Sequence, residues 1–156
     1  MQNDGIAKDR RLRKMTLTCC CTELVFPMIR YIKLGLCVFF ALFFVLAGVS
    51  HFLSDDKFAA IVPPFLPFPY FIVWVTGLME IAMGVMLLCP HYRARVGVIL
   101  GIFLLAVLPA NIYMAIAGIP FGDTVASPAM LWIRVALQFP LIAVIYWATR
   151  PSKKVQ

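Results

Sequence analysis

Five polar residues in this chain have the types and positions to do chemistry: His51, Glu80, Asn111, Arg134 and Gln138. Each lies within, or at the end of, a run of about twenty apolar residues, a setting in which an ionisable side chain is costly and usually has a function or a partner. Glu80 falls between Gly77 and Gly84 at i, i+3 and i+7 of one helical face. Two glycines there let a neighbouring helix come close, so the carboxylate is expected to point into a bundle and away from lipid. Arg134 and Gln138 share a face at i, i+4. Asn111 follows Pro109, whose missing N–H leaves the Leu105 carbonyl without its usual partner. His51 closes the first apolar run. Such a set can fix helix register as an ion-pair and hydrogen-bond cluster, or it can hold a ligand head group or a partner helix, and both readings stay open.

Other chemistries lack their residues. His91, the second histidine, sits at the opposite end of the apolar runs from His51, so a bis-histidine haem does not fit. There is no dinucleotide fingerprint, no phosphate-binding loop and no Cys/His spacing for a metal, so neither a metal nor a covalently bound cofactor is expected. Any redox cofactor would come from a partner or be a diffusible quinone. Of the five cysteines, Cys19, Cys20 and Cys21 form a triplet in the N-terminal tail, where either lipidation or a structural role is open to them. Cys37 and Cys89 lie at the basic ends of their runs, and no pair has the C-x-x-C spacing of a thiol oxidoreductase.

The elements that position these groups follow from composition. The 156 residues are 63% hydrophobic and 13% charged, with a mean hydropathy of +0.93. Soluble domains carry about 45–50% apolar and about 25% charged residues. Apolar runs at 31–50, 70–88, 96–116 and 129–149 are each long enough to cross a hydrocarbon core of about 30 Å. The expected fold is all-α, a four-transmembrane-helix bundle, and too few residues remain outside it for a separate soluble catalytic domain. The chain divides into a basic N-terminal tail (1–30), the membrane domain (31–150) and a short basic tail (151–156). Met15 and Met28 are alternative starts to Met1. The first run exceeds the roughly 7–15 residues of a signal-peptide core and is read as a retained helix.

Twelve of the fourteen Lys and Arg lie on one side of these runs, only Lys57 lies on the other, and Arg134 lies within the fourth run. The positive-inside rule then predicts that both termini are cytoplasmic and assigns the basic excess to topology, with no role for nucleic acid. The partners are the bilayer and other membrane-protein subunits, in a bacterial inner membrane or a eukaryotic organelle membrane. Counted from the outer end at the helical rise, Glu80 and Gln138 are roughly 13–15 Å deep and Arg134 and Asn111 about 7 Å, so the whole set occupies the outer half. The outer connection, 51–69, contains four prolines and is too apolar for a free loop. Pro63, Pro64, Phe65 and Pro67 are expected to lie over the polar set as an ordered cap.

At these residues the chain resembles the DoxX-like family of small four-helix membrane proteins. The matching segments are Ala47-Gly-Val-Ser-His51-Phe, Ile61-Val-Pro-Pro-Phe-Leu-Pro, Gly77-Leu-Met-Glu80-Ile-Ala-Met-Gly84, Leu108-Pro-Ala-Asn111-Ile-Tyr-Met-Ala and Leu131-Trp-Ile-Arg134-Val-Ala-Leu-Gln138. The resemblance implies a bundle that serves as a non-catalytic or quinone-associated subunit of a membrane oxidoreductase complex. A membrane-protein assembly factor without redox activity is the alternative it implies.

Overall fold

The computed structural model describes residues 3–119 and 127–151, with side chains from Met28 onward. It is all-helical: α1 (Asn3–Leu53), α2 (Asp55–Ala59), α3 (Pro69–Leu87), α4 (Arg93–Ala117) and α5 (Pro128–Thr149), with no strand among the described residues. Four segments are long and apolar enough to cross a membrane: Met28–Leu53 of α1, and α3, α4 and α5. The protein is therefore a multi-pass integral membrane protein with a four-helix bundle. The segment read as a tail from the sequence differs in one respect, because α1 runs unbroken from Asn3 through the boundary at residue 30. The Cys19, Cys20 and Cys21 side chains lie outside the described residues.

The helix ends have local causes. Pro69 and Pro128 open α3 and α5 at positions whose N–H would have no intrahelical partner anyway. α4 begins three residues before its apolar run, and Arg93 at its start donates from Nε to the Leu87 carbonyl at 3.0 Å, tying down the end of α3. At the other end Gly118 takes a left-handed φ of 64° and returns its N–H to the Met114 carbonyl. Pro109 and Pro140 lie inside α4 and α5 without ending them.

The four long helices close a ring in which α1 packs on α3, α3 on α4, α4 on α5 and α5 on α1. Lipid tails are as apolar as leucine, so close packing, more than exclusion of water, must hold such helices together. The α1–α3 contact shows it most clearly. A Cβ on Gly48 would sit 2.5 Å from the Gly77 carbonyl oxygen, and one on Gly84 would sit 2.8 Å from the Ala41 carbonyl oxygen. The backbones touch, and only glycine fits.

Two apolar clusters fill the ring. The larger includes Phe44, Leu87, Leu100, Leu104 and Ile145 and occupies the half nearer the basic end. The smaller joins Met114, Ala115, Leu131 and Val135 to Ile61 from the connection between α1 and α3. Ile61 thus fastens that connection across α4 and α5, and Tyr70 adds a second tie by donating to Asp56 at 2.9 Å.

Candidate functional site

Along α4 and α5 the polar side chains fall between the two apolar clusters: Asn111 lies between Leu104 and Met114, and Gln138 between Val135 and Ile145. Gln138 is buried at 5% exposure and is fully engaged. Asn111 Nδ2 donates to Gln138 Oε1 at 2.9 Å, and Gln138 Nε2 donates to the Leu104 carbonyl. Pro109 lies inside α4 near this pair and leaves the Leu105 carbonyl without its helical N–H. The carbonyl that Gln138 reaches is one residue before Leu105, the one the proline ring displaces.

The other half of the layer lies between α1 and α3. His51 Nδ1 is 3.1 Å from the Val73 carbonyl oxygen and 3.3 Å from Thr76 Oγ1. A carbonyl can only accept, so Nδ1 carries its hydrogen and Nε2 presents its lone pair when the ring is neutral. Thr76 Oγ1 lies 2.9 and 3.0 Å from the Ile72 and Val73 carbonyl oxygens, between which its one hydrogen is shared, leaving its oxygen free to accept from the ring. Nε2 faces Glu80 Oε2 at 3.8 Å, beyond direct hydrogen-bond reach. That carboxylate oxygen is buried and has no hydrogen-bond partner among the described residues. The His51 and Glu80 side chains each remain 12% exposed, so the gap between them is not sealed. Two acceptors facing one another require a donor or a proton between them, and this arrangement can bind a hydroxyl.

Arg134 is exposed on the flank of α5, yet its charge and that of Glu80 attract one another across the bundle. The five polar residues read from the sequence therefore fall into one hydrogen-bonded pair, Asn111–Gln138, and one facing pair without a direct hydrogen bond, His51–Glu80, with Arg134 linked to Glu80 by charge. Thr76 belongs to the site and was not singled out from the sequence. A threonine in an apolar helix ordinarily bonds back to the carbonyl four residues earlier, as this one does to Ile72, and nothing in its spacing points to a histidine 25 positions away.

The cap covers this half of the layer through residues other than the prolines. The Phe58 ring lies on His51 with centroids 4.0 Å apart. Of Pro63, Pro64, Phe65 and Pro67, only Pro63 is buried, and Phe65 is 77% exposed. Among the described residues no three His, Cys, Asp or Glu converge as metal ligands would, and Cys37 and Cys89 are free thiols.

Residues 40–150 match the family described as Domain of unknown function (DUF8561), a stretch that covers α3, α4, α5 and the later part of the first membrane-length segment, and the chain belongs to that family. No curated protein and no solved structure matches it.

Proposed function

We propose that this DUF8561 protein is a membrane-embedded, non-catalytic binding subunit of an oxidoreductase complex, related to the DoxX-like proteins it resembles, and that it holds a quinol hydroxyl between His51 and Glu80. The observation that carries this reading is the facing pair of acceptors: Nε2 and Oε2 lie 3.8 Å apart, and Oε2 has no hydrogen-bond partner among the described residues. A buried acceptor left unpaired costs about 1–3 kcal/mol, and a hydroxyl seated beside it satisfies Oε2 with its one hydrogen. A quinol brings that hydroxyl on an apolar ring suited to the surrounding helices. Its oxidised form brings only a carbonyl, a third acceptor, so the site favours the reduced partner. The chain supplies a hydrogen-bonding seat, and the electron carriers belong to its partners.

Both termini are cytoplasmic in this reading, which sets the polar layer in the outer half under the cap. A cysteine introduced at Asp123, outside the described residues, is then labelled by an impermeant thiol reagent from the external side. Labelling from the cytoplasmic side alone would reverse the orientation.

The binding test is equilibrium titration of the purified protein with a short-chain quinol and the matching quinone. Wild type is expected to bind the quinol about tenfold or more tightly than the quinone, the order of one hydrogen bond to a charged group. Glu80→Gln, which introduces a donor at the same place, is expected to lose that preference. A second reading rests on the outward face of α5, where Trp132, Ile133, Leu137 and Phe139 are all exposed. Such a face suits reversible docking of a client helix by an assembly factor. Absence of quinol and quinone binding, with a multi-helix client copurifying in mild detergent, would favour that reading.

A further inference from the structure

The opposite end of the bundle carries a feature unrelated to the polar layer. Between the start of α4 and the end of α5 runs an open groove of about 460 Å³ lined by Ala94, Arg95, Val98, Ile99 and Arg150. Its walls are apolar apart from the two arginines. Val98 and Ile99 lie about one helical turn deeper than Arg95, so the groove runs from the basic end toward the hydrocarbon region.

The basic residues around it are differently employed. Arg93 is spent on the Leu87 and Leu88 carbonyls at the end of α3. Lys33 donates to the Arg150 carbonyl at 3.0 Å and lies over the Trp147 ring. Arg150 is held on Tyr146, its guanidinium carbon 4.3 Å from the ring centroid and Nη2 donating to the hydroxyl at 2.5 Å, which orients the group while leaving most of its donors unused. Arg95 donates to nothing among the described residues. Two guanidinium groups, one held and one free, thus flank the mouth of an apolar trough at a membrane surface.

From this arrangement we infer that the groove binds one anionic phospholipid, with its phosphate between Arg95 and Arg150 and an acyl chain along Val98 and Ile99. Guanidinium groups match phosphate in charge and in donor geometry. Basic pockets between membrane helices recognise anionic head groups in this way. A zwitterionic lipid offers the same chain but brings its own ammonium group to the arginines.

The test is native mass spectrometry of the purified full chain in mild detergent, supplemented with equal amounts of phosphatidylglycerol and phosphatidylcholine. Wild type is expected to retain one phosphatidylglycerol about ten- to thirtyfold more often than phosphatidylcholine, the scale of two surface arginines. Arg95→Gln with Arg150→Gln removes that preference, whereas Lys57→Gln at the other end of the bundle leaves it intact. Val98→Trp keeps both arginines and fills the trough, so it removes retention as well, and it decides the matter if the double variant does not fold. Equal retention of the two lipids by wild type, or a preference that survives both the double variant and Val98→Trp, would overturn the assignment. Displacement of phosphatidylglycerol by equimolar inorganic phosphate would overturn it too, since the arginines would then bind a free anion without using the trough.

Discussion

The α1–α3 and α4–α5 contacts solve the same problem, polar groups at membrane depth, in opposite ways. Between α4 and α5 every step is closed: Asn111 donates to Gln138, and Gln138 donates to the Leu104 carbonyl. Between α1 and α3 the helices touch through Gly48, Gly77 and Gly84, yet Glu80 Oε2 has no hydrogen-bond partner among the described residues. The tighter contact contains the unfinished one. A polar group that serves only to hold helices together has no reason to remain open, so the contrast separates a structural pair from a binding pair. In the function proposed above, Asn111–Gln138 is the former and His51–Glu80 the latter.

Gly48→Leu is expected to have the largest effect. Its Cβ would meet the Gly77 carbonyl oxygen at 2.5 Å and Ile81 Cγ1 at 2.7 Å, and backbone cannot move aside as a flexible side chain can. A loss of about 3 kcal/mol, seen as a lower unfolding temperature in detergent, is the expected result. Tolerance of leucine there would mean that the helices are not in backbone contact.

Gln138→Leu should cost less, about 1–3 kcal/mol, because it strips Asn111 of its acceptor and the Leu104 carbonyl of its donor. Adding Asn111→Leu to it should restore part of the loss, as removing both partners of a buried pair is milder than removing one. Strict additivity would argue that the two amides are not coupled.

Glu80→Gln is expected to be the smallest, within about 0.5 kcal/mol of wild type or stabilising, since the new amide donates toward His51 Nε2 where two acceptors faced each other. A destabilisation as large as that of Gln138→Leu would place Glu80 among the structural groups and remove the distinction between the two contacts.

Much of this architecture is legible in the residue order. The apolar runs mark the four membrane-length segments to within a few residues, though not the long extension of α1 before them, because a bilayer enforces continuous apolar segments and the i, i+3, i+7 spacing of Gly77, Glu80 and Gly84 can describe only one face. The start of α4 is less legible. Arg93 and Arg95 interrupt the apolar pattern without interrupting the helix, and the use of Arg93 at the end of α3 depends on a turn that hydropathy does not register. The cap is least legible. Its prolines announce an irregular path, but no periodicity assigns inside and outside within it, so Phe58 lies on His51 while Phe65 turns away. Partners such as Thr76 and His51 are far apart in sequence, and a single sequence carries no signal of their meeting.

Phe68, the residue before α3, takes a left-handed φ of 57°, and its ring is 76% exposed. That backbone region costs a non-glycine residue about 1–2 kcal/mol, and little of the protein touches the ring to offset it. With Phe65 also exposed, two aromatic rings project from the rim of the bundle at the level where α3, a membrane-length helix, begins. Aromatic side chains at that level fix the height at which a protein floats in its bilayer. An anchoring use of the ring would make position 68 a matter of buoyancy as well as of folding. Glycine there would relax the chain, and the bundle would lose one of its marks at the waterline.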